Sequence, residues 1–278
     1  MNVGITGING FIGSFLFEHF SREIFTVYGL STKPENILII KLVDGIPVNE
    51  IEDLECIIHC GGLTGNNFSE QDYHYANVFC LRKLLNWCST HNVKQFIYFS
   101  TGGVYGALDE WVDETEKLNA EGFYARSKLK GEEEVLQCSI PIKTILRIYF
   151  PIGNLTKNHL FSRLAHQVRD GKEICLNNEV GMPYISPTCI MDIKNVLEIL
   201  TKEKIGGVYN FSSNYKISIR EIVETIARCY GVIPCYRFAG QESHNYLGKT
   251  DKLIKTIGYD VLVDPITAIC KMIDGDYY

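Results

Sequence analysis

The feature that most restricts the fold of this chain is the run Thr6-Gly7-Ile8-Asn9-Gly10-Phe11-Ile12-Gly13. It follows a short β-rich stretch, Val3 to Thr6, and opens a helical pattern. Gly7, Gly10 and Gly13 fall at the spacing G-x-x-G-x-x-G. Such a junction needs a tight turn, close approach of backbone to a pyrophosphate, and a helix packed hard on its sheet. The helix start then offers N–H groups and a positive dipole end to the phosphates. Any tight turn can carry glycines, but on the first strand of a β-α-β pattern the set points to a bound dinucleotide. The candidate contacts are Gly7, Asn9, Gly10, Phe11, Ile12 and Gly13.

Strand and helix patterns alternate behind this turn. Phe11, Ile12, Phe15 and Leu16 form the inner face of the first helix, with Glu18 and His19 towards solvent. Phe25 to Gly29 and Ile37 to Val43 read as the next strands, and Cys56 to Cys60 as a fourth, ended by Gly61-Gly62. A helix from about Tyr75 to Thr90 puts Val78, Leu81, Leu84, Leu85 and Cys88 on one face. Phe96 to Phe99 is a near-continuous apolar strand, as expected when both sheet faces are covered, and Thr144 to Ile148 is another. After Pro151 the rhythm changes: a helix at Leu160 to Val168, a strand at Glu173 to Leu176, and a helix at Ile190 to Leu200. A strand at Gly207 to Phe211 and a helix at Ile217 to Tyr230 follow, the latter with Ser218 and Glu221 placed for a capping box. Strands separated by helices predict an α/β fold, a doubly wound parallel sheet with right-handed crossovers. The predicted division is 1–153, with about 188–212 returning to it, and a smaller C-terminal α/β substrate lobe from 154–187 and 213–278.

Of the 278 residues, 46% are apolar and 22% charged, which excludes disorder, collagen and coiled coil. Twenty-seven Lys and Arg against 33 Asp and Glu give a net charge of −6, with no basic run. That balance argues against nucleic acid and anionic membrane as partners and for a small molecule in a local positive pocket. The ten cysteines form no C-x-x-C pair and read as small buried hydrophobes. The seven histidines show no H-x-x-x-H or H-E-x-x-H, so no metal site is expected, and His59 reads as strand packing. No signal-like or spanning apolar segment precedes the first strand, which predicts a cytoplasmic protein with reduced thiols.

Three further segments carry chemistry. In Tyr124-Ala125-Arg126-Ser127-Lys128 the phenol and ammonium lie one helical turn apart, about 6 Å along the axis. An ammonium there favours phenolate over phenol and makes Tyr124 a candidate acid/base; in isolation the spacing reads better as an ordinary surface Tyr and Lys. Ser100 and Thr101, at the C-terminal end of a central strand, sit where open α/β sheets bind ligands, or are simple turn residues. The second strand ends Leu30-Ser31-Thr32-Lys33, without the acid that bonds a ribose 2′-hydroxyl. Ser31, Thr32 and Lys33 suit a 2′-phosphate, unless they form a solvated turn with Lys33 pointing away. Asp44 is a candidate for the adenine amino group, and Glu132-Glu133-Glu134 is expected to face solvent.

Taken in order, these motifs resemble the extended short-chain dehydrogenase/reductases, the NAD(P)-dependent sugar epimerase/dehydratase group with a Rossmann-type sheet. The resemblance runs from Asn2 to about Tyr259. It includes Ile57-Ile58-His59-Cys60-Gly61-Gly62, Ala76-Asn77-Val78, Leu146 to Gly153, Gly207 to Phe211 and Lys252 to Tyr259. It implies that Tyr124 is the acid/base, that Lys128 holds the nicotinamide ribose and polarises Tyr124, and that Thr101 orients the reacting oxygen. It also implies cofactor contacts from Cys60, Gly61, Gly62, Asn77, Ser100, Phe150 and Ile152. Gly102-Gly103 replaces the Asp-Glu pair of the dehydratase branch, which disfavours water elimination. Gly181 to Ile185 lacks the arginine many relatives use for the substrate diphosphate, leaving Arg163, Arg169, Lys172 and Arg237 as candidates that otherwise read as solvated charges. The expectation is NADPH-dependent reduction of a nucleotide-activated 4-keto-sugar, with NADP(H) favoured and NAD(H) the alternative. The rival readings are a nucleotide-sugar 4-epimerase holding NAD tightly and a non-catalytic cofactor-binding subunit. Relatives often dimerise through two long helices, here about Tyr75–Thr90 and Tyr124–Leu136, so a homodimer is one expectation.

Overall fold

Strands without polar alternation need cover on both faces, and the elements of this chain supply it. The computed structural model describes residues 1–33, 36–42, 54–65, 68–258 and 262–276. The first part runs β1 (Asn2–Thr6), α1 (Phe11–His19), β2 (Thr26–Lys33), β3 (Asn36–Leu42) and β4 (Leu54–His59). Next, α2 (Glu70–His74) continues through a π-helical turn, Tyr75–Phe79, into α3 (Cys80–Thr90), followed by β5 (Gln95–Thr101), α4 (Gly122–Gln137) and β6 (Ile142–Ile148). Then come α5 (Leu160–Arg169), β7 (Ile174–Leu176), β8 (Tyr184–Ile185), α6 (Ile190–Lys202) and β9 (Gly207–Phe211). The chain closes with β10 (Ile217–Ser218), α7 (Ile219–Tyr230), β11 (Tyr236–Phe238), α8 (Asp251–Ile257) and α9 (Pro265–Asp274).

Seven strands form one sheet in the order β3-β2-β1-β4-β5-β6-β9. β1 pairs in parallel with β2 and with β4, and β4 with β5. The strand order reverses between β1 and β4, so the C-terminal ends of these strands open on the crevice where such sheets bind ligands. One edge departs from the all-parallel expectation. β2 does not stop near Gly29 but runs to Lys33 and pairs antiparallel with β3, Ser31 opposite Lys41 and Thr32 opposite Ile40. A parallel return needs a crossover of a dozen or more residues, and the chain between these strands is too short for one. Ser31, Thr32 and Lys33 therefore belong to a strand and not to a turn after it. Asp44 lies outside the described residues.

The described residues group into two compact units. One comprises 1–104, 118–147 and 196–209, the other 105–117, 148–195 and the residues from 210 onward. In the first, Leu81, Leu84, Leu85 and Cys88 of α3 pack with Ile57, Phe96, Val135 and Ile145. Full burial of each Leu, Ile or Phe contributes about 1.5–3 kcal/mol. The helix expected from Tyr75 starts earlier, because Ser69 and Asp72 close a capping box at the head of α2. In the second unit, β7 pairs in parallel with β11 and β8 antiparallel with β10. The capping box read from the sequence is present: Ser218 Oγ accepts from Glu221 N (3.1 Å), and the Glu221 carboxylate accepts from Ser218 N (2.7 Å). No helix among the described residues is long and apolar enough to cross a membrane.

The turn between β1 and α1 is as tight as its glycines imply. Gly10 N donates to Gly7 O at 2.8 Å, and Gly7 has φ +70°, a conformation costly for a side chain. A Cβ on Gly13 would collide with the carbonyl oxygen of Gly7. Gly13→Ala is therefore expected to cost about 1–3 kcal/mol by overpacking, read as a lower Tm in thermal unfolding. An unchanged Tm would mean that α1 does not press on this turn.

Candidate active site

Three neighbouring strand ends build the site. At the end of β1, buried Thr6 shares a hydrogen bond with His59 Nδ1 (2.8 Å), and its Oγ1 accepts from Gly61 N (3.3 Å). A Cβ on Gly7 would stand 2.8 Å from the backbone of Cys60 and Gly61, so the loops after β1 and β4 touch. Asn77, buried in the π-helical turn, locks the next step of the loop. Its Oδ1 accepts from Leu63 N (2.7 Å), and its Nδ2 donates to Leu63 O (3.0 Å) and to Ser127 Oγ (2.9 Å). Ser127 Oγ in turn donates to the carbonyl of Tyr124 (2.7 Å). The loop beside the glycine turn is thus clamped to α4. π-Helical turns recur at functional sites because they re-aim one side chain of a helix, here Asn77.

These residues fit a dinucleotide. The start of α1 at Gly10 has no side-chain cap, and Gly7 and Gly13 leave a cradle that Cβ atoms would fill. Asn9 is exposed over the turn, with Phe11 and Ile12 half-buried at the helix start.

Residues that the sequence predicts to react lie at the end of β5 and the start of α4. Gly103 N donates to Thr101 Oγ1 (3.2 Å), and the Thr101 side chain lies beside Tyr124, in the first turn of α4, near enough to pull its pKa down. Tyr124 is half-buried, its ring 6.1 Å from that of Tyr73, whose hydroxyl donates to Gly65 O. Burial pushes the Tyr124 phenol up to about 12, against the lowering pull of Thr101. The sequence predicted the opposite direction, with Lys128 lowering it. The reason lies in how α4 packs. Its face with Ala125, Ser127, Lys128, Glu132 and Val135 is buried. Lys128 therefore extends inward and lays its ammonium 4.1 Å from the centroid of the Tyr98 ring. Burial lowers Lys128 to about 8, with Glu132 and Cys60 opposing the fall.

Glu132 overturns another expectation. It is 2% exposed, not solvated. Arg147 of β6 donates to it through Nη2 (2.7 Å) and Nε (3.0 Å), and Ser100 Oγ donates to its Oε1 (2.5 Å). Only Glu133 and Glu134 face outward, paired with Lys130 and Arg82. The sequence did hold a signal: Arg147 is a lone charge inside an apolar strand, and a buried charge needs a partner. Tyr98 and Tyr73, which flank Lys128 and Tyr124, had no such signal.

Ser100, a predicted cofactor contact, gives its hydroxyl to Glu132. His59 is buried and held neutral, its pKa lowered to about 3. Burial raises the Cys60 thiol, which stays protonated. Phe150 and Ile152 belong to the second unit, where Phe150 packs edge-on to Tyr246 (5.7 Å) and Ile152 is buried. Arg169 and Lys172 pair with Asp170, Arg237 pairs with Glu173, and Arg163 donates to Asn158.

Residues 3–185 match the profile of the NAD dependent epimerase/dehydratase family. The chain belongs to that family. Among curated proteins, this family member is 26% identical over 295 residues to YtcB of Bacillus subtilis (strain 168), described as an uncharacterized UDP-glucose epimerase. That match covers 94% of this chain and 93% of the relative. It is 24% identical over 188 residues to the dTDP-D-glucose 4,6-dehydratase of Mus musculus, over 64% of this chain but about half, 52%, of that protein. Among solved structures, a UDP-glucuronic acid 4-epimerase (Y149F mutant) from Bacillus cereus superposes with a TM-score of 0.84 at 21% identity, over 100% of both chains. A dTDP-4-dehydrorhamnose reductase from Clostridium acetobutylicum gives 0.84 at 18% identity, again over 100% of both chains. Both share the fold, a Rossmann-type α/β sheet.

The lowered Lys128 has a consequence for stability. An amine whose folded pKa is about 8, against 10.5 for an ordinary lysine, destabilises the fold most below pH 8, and the penalty fades between 8 and 10.5. Lys128→Met is expected to raise stability at pH 7 on the order of 1–3 kcal/mol. In urea unfolding followed against pH, that gain should vanish near pH 10.5. A gain that persists there would assign the effect to packing and not to the charge.

Proposed function

We propose that this family member is an oxidoreductase that moves hydride between a nicotinamide dinucleotide and a carbon of a nucleotide-activated sugar, in the manner of an NAD-dependent 4-epimerase. The observation that carries this reading is the juxtaposition of Thr101, at the end of β5, with Tyr124, in the first turn of α4. It lies at the same end of the strands as the glycine turn on β1. Gly102-Gly103 after Thr101 offers no carboxylate for eliminating water, which counts against a dehydratase. The relative matched over nearly its whole length carries a UDP-glucose epimerase description, and the solved 4-epimerase of the same fold holds NAD. An NADPH-dependent 4-keto-sugar reductase is the second reading. Ser31, Thr32 and Lys33 at the end of β2 favour it, as does the reductase of the same fold.

When bound, the dinucleotide supplies a hydride acceptor and donor at its nicotinamide ring. Gly7, Gly10, Gly13 and the first turn of α1 would hold its diphosphate, with the Cys60–Gly62 loop and Asn77 alongside. At neutral pH the Tyr124 phenol carries its proton, the form needed to protonate a carbonyl oxygen as that carbon is reduced. In the reverse direction the base is the Tyr124 phenolate, formed once the phenol has released its own proton, and its Oη takes the proton of a sugar hydroxyl. Thr101, whose Oγ1 accepts from Gly103 N, would donate to that oxygen and steady the phenolate. Positive charge is what makes loss of the proton feasible for a phenol with so high a pKa, and Lys128 is the cation that α4 places one turn away. Sugar-nucleotide recognition is assigned to 154–187 and 213–278.

Tyr124→Phe is expected to lower turnover of nucleotide hexoses by about 10²–10⁴-fold with dinucleotide affinity nearly unchanged. Release of stoichiometric, non-exchanging NAD from purified protein supports the epimerase. Consumption of added NADPH with a 4-keto-sugar supports the reductase instead. Full activity of Tyr124→Phe would contradict the mechanism.

A further inference from the structure

Beneath Tyr124, α4 carries a second set of polar groups that do not meet the reacting oxygen. Lys128 and Glu132 stand one turn apart, about 6 Å along the axis, and both are buried. Glu132 is closed on its far side by Arg147 of β6 and Ser100 of β5. The groups facing the Lys128 ammonium come from three elements. Tyr98 of β5 lies under it, His59 and Cys60 approach from β4 and the loop after it, and Glu132 sits on the same helix. Burial holds His59 neutral and keeps Cys60 and Tyr98 protonated. Among the described residues facing Lys128, Glu132 is therefore the one that brings negative charge.

We propose that Glu132 is a positioning residue. Fixed by Arg147 and Ser100, its carboxylate is a built-in counter-charge that keeps Lys128 a cation laid on the face of Tyr98. The cost of burying the amine already outweighs Glu132, leaving Lys128 near 8, so there is little margin. Without the carboxylate the amine loses its proton at neutral pH, and Tyr124 loses the nearby cation of its own helix. This last step rests on the Tyr124 and Lys128 roles proposed above, whereas the hold of Glu132 on Lys128 does not, and the two are read separately.

The Lys128 amine is titrated in the full chain by NMR of isotope-labelled lysine, its signal identified by its loss in Lys128→Met. Wild type should titrate near 8. Glu132→Gln should move that midpoint to more acid pH by about 1 unit or more, with the alkaline limb of kcat/KM moving by the same amount. Glu132→Gln leaves Arg147 buried without its counter-charge and can unfold the chain. The double variant Glu132→Gln, Arg147→Met removes both charges and should show an acid shift smaller than the single variant's, because the repulsion from Arg147 goes with the carboxylate. An unmoved Lys128 midpoint in either folded variant overturns the proposal. A shifted midpoint with an unmoved kcat/KM limb overturns the part played in turnover and leaves the hold on Lys128 standing. Absence of turnover on any nucleotide sugar in wild type, with the midpoint shift intact, overturns the proposed function instead.

Discussion

A carboxylate and a guanidinium buried together under a helix tolerate little displacement. Desolvating the two charges costs several kcal/mol each, and only close, well-aligned hydrogen bonds offset it. Glu132 and Arg147 meet at 2.7 and 3.0 Å, with Ser100 on the remaining lone pairs, so rotation or sliding of α4 over β5 and β6 would uncover a charge. That constraint fixes the rest of the helix. Lys128 is laid on Tyr98, and Tyr124, two turns before Glu132, arrives beside Thr101. The clamp from Asn77 to Ser127 ties the same helix to the loop that flanks the glycine turn. The glycine turn and the Thr101–Tyr124 pair, separate in sequence, thereby share one support.

Much of this was legible in the residues. The glycine run after β1 can serve few junctions, because its three glycines answer three separate close approaches. The apolar strand at Phe96–Phe99 announces a sheet covered on both faces, and all four residues are buried. Thr101 and Tyr124 were paired through motif order and family resemblance, since nothing in local spacing relates two residues on different elements. The Ser218–Glu221 box was readable because capping is decided within four residues.

What escaped was set by tertiary burial. Three successive glutamates look alike as a string, yet one turns inward because Arg147 waits on a strand that only the fold brings near. The phenol of Tyr124 was expected to be acidified by Lys128, and that inference used helix spacing alone. Which way a lysine stem bends depends on what the sheet offers it, and Tyr98 offers a ring face. The β2–β3 hairpin was missed for a related reason. The alternation of strands and helices predicts a parallel neighbour, while an antiparallel return satisfies the same backbone groups with fewer residues.

In the proposed reaction hydride leaves and rejoins a sugar carbon while Tyr124 handles the proton. Following a nucleotide hexose deuterated at C4 tests it most directly. The account predicts that deuterium moves from the sugar to the dinucleotide carried by the protein, that the label is conserved through turnover, and that none passes into water. Deuterium washed out into solvent, or a sugar converted with its C4 label never displaced, would contradict it.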